Sequence, residues 1–214
     1  MKRTCEPELL DSLPFDHPDA AHSRRDLRIV NVFMRSNAWF RRTLPGVVRD
    51  GETVLELGAG TGELGVDLNS RGTPVDGLDL WPRPATWPMA RSWYQADLKG
   101  FSGYGAYPVI MGNLIFHQFR DDELAELGAL VRKSARVIIA NEPQRRRLSQ
   151  TVMAAVGPLL GANHVTLHDG KISIAAGFIE DELPRALGLG ADEWDCMCSC
   201  TAPGAMRMVA VRRS

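Results

Sequence analysis

The chain has 214 residues, a formal net charge of −1 and 44% hydrophobic residues, which suits one domain with a full core. So even a charge balance offers no global field to nucleic acid or an anionic membrane. With no apolar run of transmembrane length and no signal-peptide pattern at Met1-Lys2-Arg3-Thr4-Cys5, a cytoplasmic protein is expected.

Residues 1–22 are polar and interrupted by Pro7, Pro14 and Pro18, so they read as a loosely held arm. A helical pattern follows, with Leu27, Val30, Phe33 and Met34 on one face and Trp39 and Phe40 beyond Ser36-Asn37. After the turn Asp50-Gly51-Glu52, the residues Val54, Leu55 and Leu57 form a short buried strand. It runs through Gly58-Ala59-Gly60-Thr61-Gly62 into a helix that begins near Glu63 and ends at Gly72. Residues 74–80 are a second strand with Asp79 at its C-terminal end. Trp81-Pro82-Arg83-Pro84 and Trp87-Pro88 then break the chain. Residues 92–96 and 107–112 give the third and fourth strands. Asp121-Asp122 caps a helix whose face is Leu124, Leu127, Leu130 and Val131. Residues 136–140 are the fifth strand.

Leu148, Val152, Val156, Leu159 and Leu160 then make an amphipathic helix closed by Gly161. A polar stretch with His164 and His168 follows, residues 172–178 alternate as a strand would, with a helix as the alternative, and residues 180–187 are a helix. Residues 193–201 and 207–212 close the chain as a hairpin. Within it Cys196, Cys198 and Cys200 alternate and share one strand face, which reads as reduced, buried thiols; a metal site favours C-x-x-C loop spacing. Strands alternating with helices predict an α/β fold: a Rossmann-like, doubly wound, mostly parallel sheet with helices on both faces and an antiparallel terminal strand.

The chain is organised around residues 54–65. Gly58, Gly60 and Gly62 follow a strand at every second position and lead into a helix N-terminus. Glycines permit sharp backbone angles and close approach, and the helix offers free N–H groups. The dinucleotide fingerprint G-x-G-x-x-G would need its third glycine where Glu63 stands. Instead, Glu56 lies two places before Gly58. This resembles the (D/E)-x-G-x-G-x-G motif of the class I S-adenosylmethionine (SAM) methyltransferases. The likeness runs over about residues 51–213 and is weakest over residues 144–177.

The resemblance implies SAM as cofactor and a seven-stranded sheet whose last strand is antiparallel. It places cofactor contacts at Glu56, Gly58, Ala59, Gly60 and Gly62, and at Asp79 with Leu80, where an acidic residue can accept both ribose hydroxyls. Trp81, just past Asp79, is a candidate to pack on the adenine face. Asp97 would bind the adenine amino group, the Leu98 amide the ring, and the Asn113 backbone would face the methionine part. Residues 1–45 would be an arm and lid helices closing over the cofactor, and residues 46–214 the SAM-binding domain. The segments around residues 113–119 and 168–169 look most like small-molecule methyltransferases that tailor quinones and polyketides.

The reaction expected is methyl transfer to a small, largely apolar acceptor, most simply a phenolic or quinol hydroxyl. Such chemistry needs alignment and exclusion of water, plus a base for a neutral phenol. His117, past the fourth strand, and His168, beside Asp169, are the candidate bases. The (D/N/S)-P-P-(Y/F/W) signature of amino-methylating enzymes and a Pro-Cys dipeptide are both missing from the sequence. Acidic residues near the fourth and fifth strands are too few for a metal-dependent catechol enzyme, so no metal is expected. The basic run Arg145-Arg146-Arg147 lacks interleaved aromatics. It reads as a solvated face, with RNA methylation as the alternative. A SAM-binding module without turnover is the other alternative.

Overall fold

A computed structural model describes residues 1–13, 17–19, 22, 25–26, 31–32, 34–158 and 161–213. Seven strands form one sheet: β1 (Val54–Leu57), β2 (Val75–Asp79), β3 (Trp93–Gln95), β4 (Val109–Asn113), β5 (Val137–Pro143), β6 (Trp194–Cys200) and β7 (Ala205–Arg212), in the order β3-β2-β1-β4-β5-β7-β6. The first five pair in parallel, and β7 runs antiparallel between β5 and β6. The order reverses between β1 and β4, which makes the carboxyl edge of those strands the place where such sheets open a crevice.

Both faces are covered, as the continuous apolar strands require. On one face Leu55, Leu57, Leu78, Ile110 and Ile138 pack against Leu124, Leu127 and Val131 of α4 (Asp121–Val131) and Leu183 of α7 (Glu182–Ala186). On the other, Val54, Val75, Val109, Met111 and Ile139 pack against Phe40 of α2 (Ser36–Thr43) and Leu64 and Leu68 of α3 (Glu63–Ser70). Each of these buried apolar side chains contributes about 1.5–3 kcal/mol. Helix α4 starts differently from the expectation. Its N-cap is Arg120, whose amide is held by Glu123, and Asp121 and Asp122 sit in the first turn, where they complement the helix dipole.

Over residues 1–13 the arm is not loose. Its short helix α1 (Leu9–Ser12) is held by Asp169, which accepts the Leu9 and Leu10 amides at 2.8 and 2.9 Å. Arg3 donates to the Ala176 and Phe119 carbonyls and to Asp121, and lies 4.5 Å from the Phe178 ring centroid. These bonds join distant parts of the chain, which the arm's polar, proline-broken composition does not reveal. The predicted face of Leu27, Val30 and Phe33, and the helix end at Leu159 and Leu160, lie outside the described residues.

The polar histidine stretch and the alternating residues after it form one helix, α6 (His164–Ala176), opened by Asn163, whose side chain accepts the Thr166 amide at 2.9 Å. It touches α1, α5 (Arg147–Val156), β5 and the turn at Phe116–Gln118. Apolar residues are therefore needed on several sides, which blurs the 3.6-residue period into an apparent alternation. The basic run is split: Arg146 and Arg147 are exposed, whereas Arg145 is buried in a two-armed pair with Glu182 at 2.5 and 2.8 Å. Cys196, Cys198 and Cys200 are free thiols on the edge strand, the first two packed against the core and the third exposed. Among the described residues no helix is long and apolar enough to cross a membrane.

Candidate functional site

The loop after β1 turns on three left-handed glycines, Gly58, Gly60 and Gly62, with φ of +61°, +55° and +74°. A Cβ on Gly58 would lie 2.5 Å from the Ile115 side chain, whereas one on Gly60 would find its nearest neighbour at 4.0 Å. The loop is thus packed at its base and open at Gly60, where another molecule can approach the backbone. Asp79 holds that opening in shape: Oδ2 accepts the Gly60 amide at 2.7 Å and Oδ1 the Trp81 amide at 2.8 Å. Burial raises the Asp79 carboxyl and the amides of Trp81 and Gly60 oppose it, leaving a net upward shift.

Around this loop, Leu80 presents an exposed apolar side chain, and Asp97 is exposed with Oδ1 taking the Lys99 amide at 2.8 Å. Leu98 is buried, its carbonyl receiving the Tyr104 hydroxyl at 2.7 Å. Leu114, just past β4, is held at φ +60°, a conformation that costs an aliphatic residue about 1–3 kcal/mol and is common beside ligand sites. The predicted cofactor residues therefore gather at one edge of the sheet, at its switch point.

Glu56 lies below that edge. Trp87 fills the space under the loop, and a Cβ on Gly62, Gly65 or Gly77 would run into its ring or the neighbouring Trp93. Glu56 sits beside that ring, almost fully buried, and its Oε2 has no hydrogen-bond partner. Burial, then the charge of Asp79, pushes its carboxyl up to about 8. An orphaned acidic oxygen beneath an open loop fits a ligand that brings positive charge.

A polar row crosses the same edge. Leu57 pairs with Leu78 and with Gly112, so Gly58 stands level with Asp79 and Asn113; Asn113 pairs with Asn141, and Asn141 with Arg207. In-register side chains point to one face. Asn141 donates to Asn113 Oδ1 at 2.9 Å and to Ser36 Oγ at 3.1 Å, and Asn113 donates to Asn31 at 3.0 Å. Arg207 donates to the Met34 carbonyl at 2.8 Å, and its guanidinium carbon lies 5.2 Å from the Trp39 ring centroid. The segment entering α2 is thereby tied across the sheet edge. Asn141 and Arg207 had no sequence signal of their own; only the strand register aligns them.

His117 lies in the 3-10 turn Phe116–Gln118, almost fully buried. Glu142 at the end of β5 accepts the amides of Ile115, Phe116 and His117 at 3.0, 3.0 and 3.2 Å, and the ring nitrogen Nδ1 lies 2.7 Å from the same carboxylate. Nε2 faces Glu8 of the arm at 3.5 Å, and Glu8 also receives the Ser173 hydroxyl. Burial alone would lower the imidazole, but Glu142 and Glu8 together outweigh it and raise it to about 9. Glu8 is in turn held below the usual carboxylate range, since its bonds to His117 and Ser173 outweigh its burial. A cleft of about 250 Å³ between arm and domain is lined by Cys5, Glu8, His117, Gln118 and Ile172. His168 is on the outer side of α6, half exposed, with Nδ1 3.1 Å from Asp169, whose carboxylate chiefly holds the arm. The described contacts bring neither His168 nor His117 to the glycine loop.

No protein-family model matches the chain, and no curated protein matches it in sequence. Solved structures do. The plantazolicin methyltransferase BpumL, in complex with a triazolic desmethylPZN analog and SAH, superposes with a TM-score of 0.72 at 11% identity, over 96% of this chain and 93% of that one. A structure from work on the conversion of a disulfide bond into a thioacetal group during echinomycin biosynthesis gives 0.57 at 18% identity, over 84% and 82%. Magnesium protoporphyrin IX methyltransferase from Synechocystis PCC 6803 with bound SAH gives 0.50 at 17%, over 86% and 83%. The chain shares the Rossmann-like fold of these structures.

Proposed function

We propose that the chain is a SAM-dependent methyltransferase acting on a small molecule, with a phenolic or quinol hydroxyl as the acceptor. The observation that carries the reading is the open Gly60 backbone held by the Asp79 carboxylate at the switch point of the sheet. Asp79 would accept the ribose hydroxyls, Asp97 and Leu98 would take the adenine, and Asn113 with Gly58 would border the methionine part. Trp81 would contribute to the adenine wall. The unpartnered Glu56 oxygen suits a positively charged group above it. Bound SAM supplies an already activated methyl group.

For a neutral phenol the proton falls to His117 in this reading. Glu142 fixes its orientation through Nδ1, which leaves Nε2 as the working nitrogen. With Glu8 opposite, the imidazole is held protonated at neutral pH. Withdrawal of Glu8 with the arm would free Nε2 to accept a proton and open the adjoining cleft. His168 is the next candidate. Arg145 is spent on Glu182 inside the protein, which leaves Arg146 and Arg147 as the exposed part of the run for the RNA alternative.

Calorimetry with S-adenosylhomocysteine, followed by transfer of labelled methyl from SAM into a panel of phenols and quinols, tests the reading. Micromolar binding and labelled methyl ethers are expected. No binding at millimolar ligand overturns it, and binding without turnover on phenols, quinols, amines or RNA turns the chain into a cofactor-responsive module. Steeply salt-dependent RNA binding would favour the RNA reading.

A further inference from the structure

We infer that Arg207 and Arg35 form a carboxylate subsite for the acceptor, so that the small molecule is an anion, in the simplest case a hydroxylated aromatic acid. The inference rests on the methyltransferase reading for its location and sharpens the acceptor from an apolar phenol to an acidic one.

Arg207 is half-buried at the β7 end of the polar row. Its contacts are the Met34 carbonyl at 2.8 Å, Asn141 Oδ1 at 3.4 Å and the face of Trp39. A guanidinium has five N–H donors, so these leave most of its fork unused. Among the described residues neither Arg207 nor Arg35 has a carboxylate in ion-pair range, in contrast to Arg41, Arg136 and Arg145, which are each paired. Burial first, and the charge of Arg35 second, lower the ordinary value of Arg207. Arg35 itself is exposed and sits at φ +55°, the left-handed region, at the start of α2. Arg35 follows directly on Met34, whose carbonyl Arg207 holds at 2.8 Å, so the two cations belong to one corner of the fold, and the free donors of the partly buried Arg207 favour an anion there. A carboxylate matches their planar forks.

Position separates this site from the cofactor's own carboxylate. From Gly58 to Arg207 the row spans three strand spacings, about 14 Å. Arg207 therefore stands beyond the glycine loop on the side of β5 and β7, where the segment entering α2 covers the edge.

The test titrates benzoate and phenol into the full-length protein, with and without saturating S-adenosylhomocysteine, at low and at high salt. Benzoate is expected to bind at least tenfold more tightly than phenol, and salt should shrink the difference. Arg207→Gln should abolish the preference, Arg207→Lys should keep part of it, and Arg35→Gln, on an exposed side chain that leaves folding intact, should weaken benzoate severalfold. Equal affinity for the two probes, or an unchanged preference in Arg35→Gln, overturns the inference. So does an Arg207→Gln protein that loses S-adenosylhomocysteine as severely as benzoate, because the cations then serve the cofactor. Arginine-dependent benzoate binding in a protein that ignores S-adenosylhomocysteine upholds the anion site and instead sinks the methyltransferase reading.

Discussion

Replacing His117 by Gln removes the charge at the centre of the arm latch while keeping a donor for Glu142. The imidazole is raised from 6.5 to about 9 in the folded protein. That difference corresponds to about 3 kcal/mol of coupling between the imidazolium and its surroundings. Glu142, 2.7 Å away, is the stronger of the two partners and Glu8, at 3.5 Å, the weaker. Because the folded value is the higher one, the contribution is complete below about 6.5 and disappears as pH rises through 9. Urea unfolding of both proteins at several pH values from 6 to 10 gives the difference directly, and subtraction cancels the groups they share. The wild type should exceed His117→Gln by about 3 kcal/mol more at pH 6 than at pH 10. Glu8→Gln should shift the loss to lower pH, since one of the two raising carboxylates is gone. In turnover, a rising limb near pH 9 with a neutral phenol should move down in Glu8→Gln and vanish in His117→Gln. A stability difference independent of pH would show that His117 is neutral and that the carboxylates do not hold it as described.

Asp79→Ala should weaken S-adenosylhomocysteine by more than tenfold, because charged hydrogen bonds are worth roughly 1.5–3 kcal/mol each and the Gly60 amide loses its acceptor as well; unchanged calorimetric affinity would refute the ribose assignment. Gly58→Ala must adopt φ +61° and meet Ile115, so its melting temperature and its cofactor affinity should both fall; Ile115→Ala in the same protein should recover part of the packing loss but not the backbone strain. Burial holds Glu56 at about 8 against 4.5 for an exposed carboxyl, so its ionisation destabilises the unliganded fold progressively from pH 4.5 to 8. Glu56→Gln should therefore be more stable than the wild type above pH 8. Binding of SAM to the wild type near pH 7 should release a proton, read as a dependence of calorimetric heat on buffer, and Glu56→Gln should lose that dependence.

Most of the features read from the chain alone are those that local spacing carries. The glycines at 58, 60 and 62 announce a strand-to-helix loop because only they take φ near +60° without cost. Apolar runs bounded by turn residues mark strands buried on both faces, and their alternation with helical periods forces a parallel sheet with helices on either side. Asp79 and Asp97 stand out as candidates for the same reason, since one ends β2 and the other lies two residues past β3. Tertiary structure alone decided which polar groups meet. Glu142 reads as a residue at a strand's end, yet it gathers three amides and an imidazole from residues 115–117, and the opposing Glu8 comes from an arm more than 100 residues away. The Arg145 run reads as a solvated face until Glu182 closes on its first member. Asn113, Asn141 and Arg207 form one row only because three strands, two parallel and one antiparallel, settle in a particular register. Pairing register depends on packing across the whole sheet, and a charge's partner depends on what that packing brings within a few ångströms; neither is encoded in the residues next door.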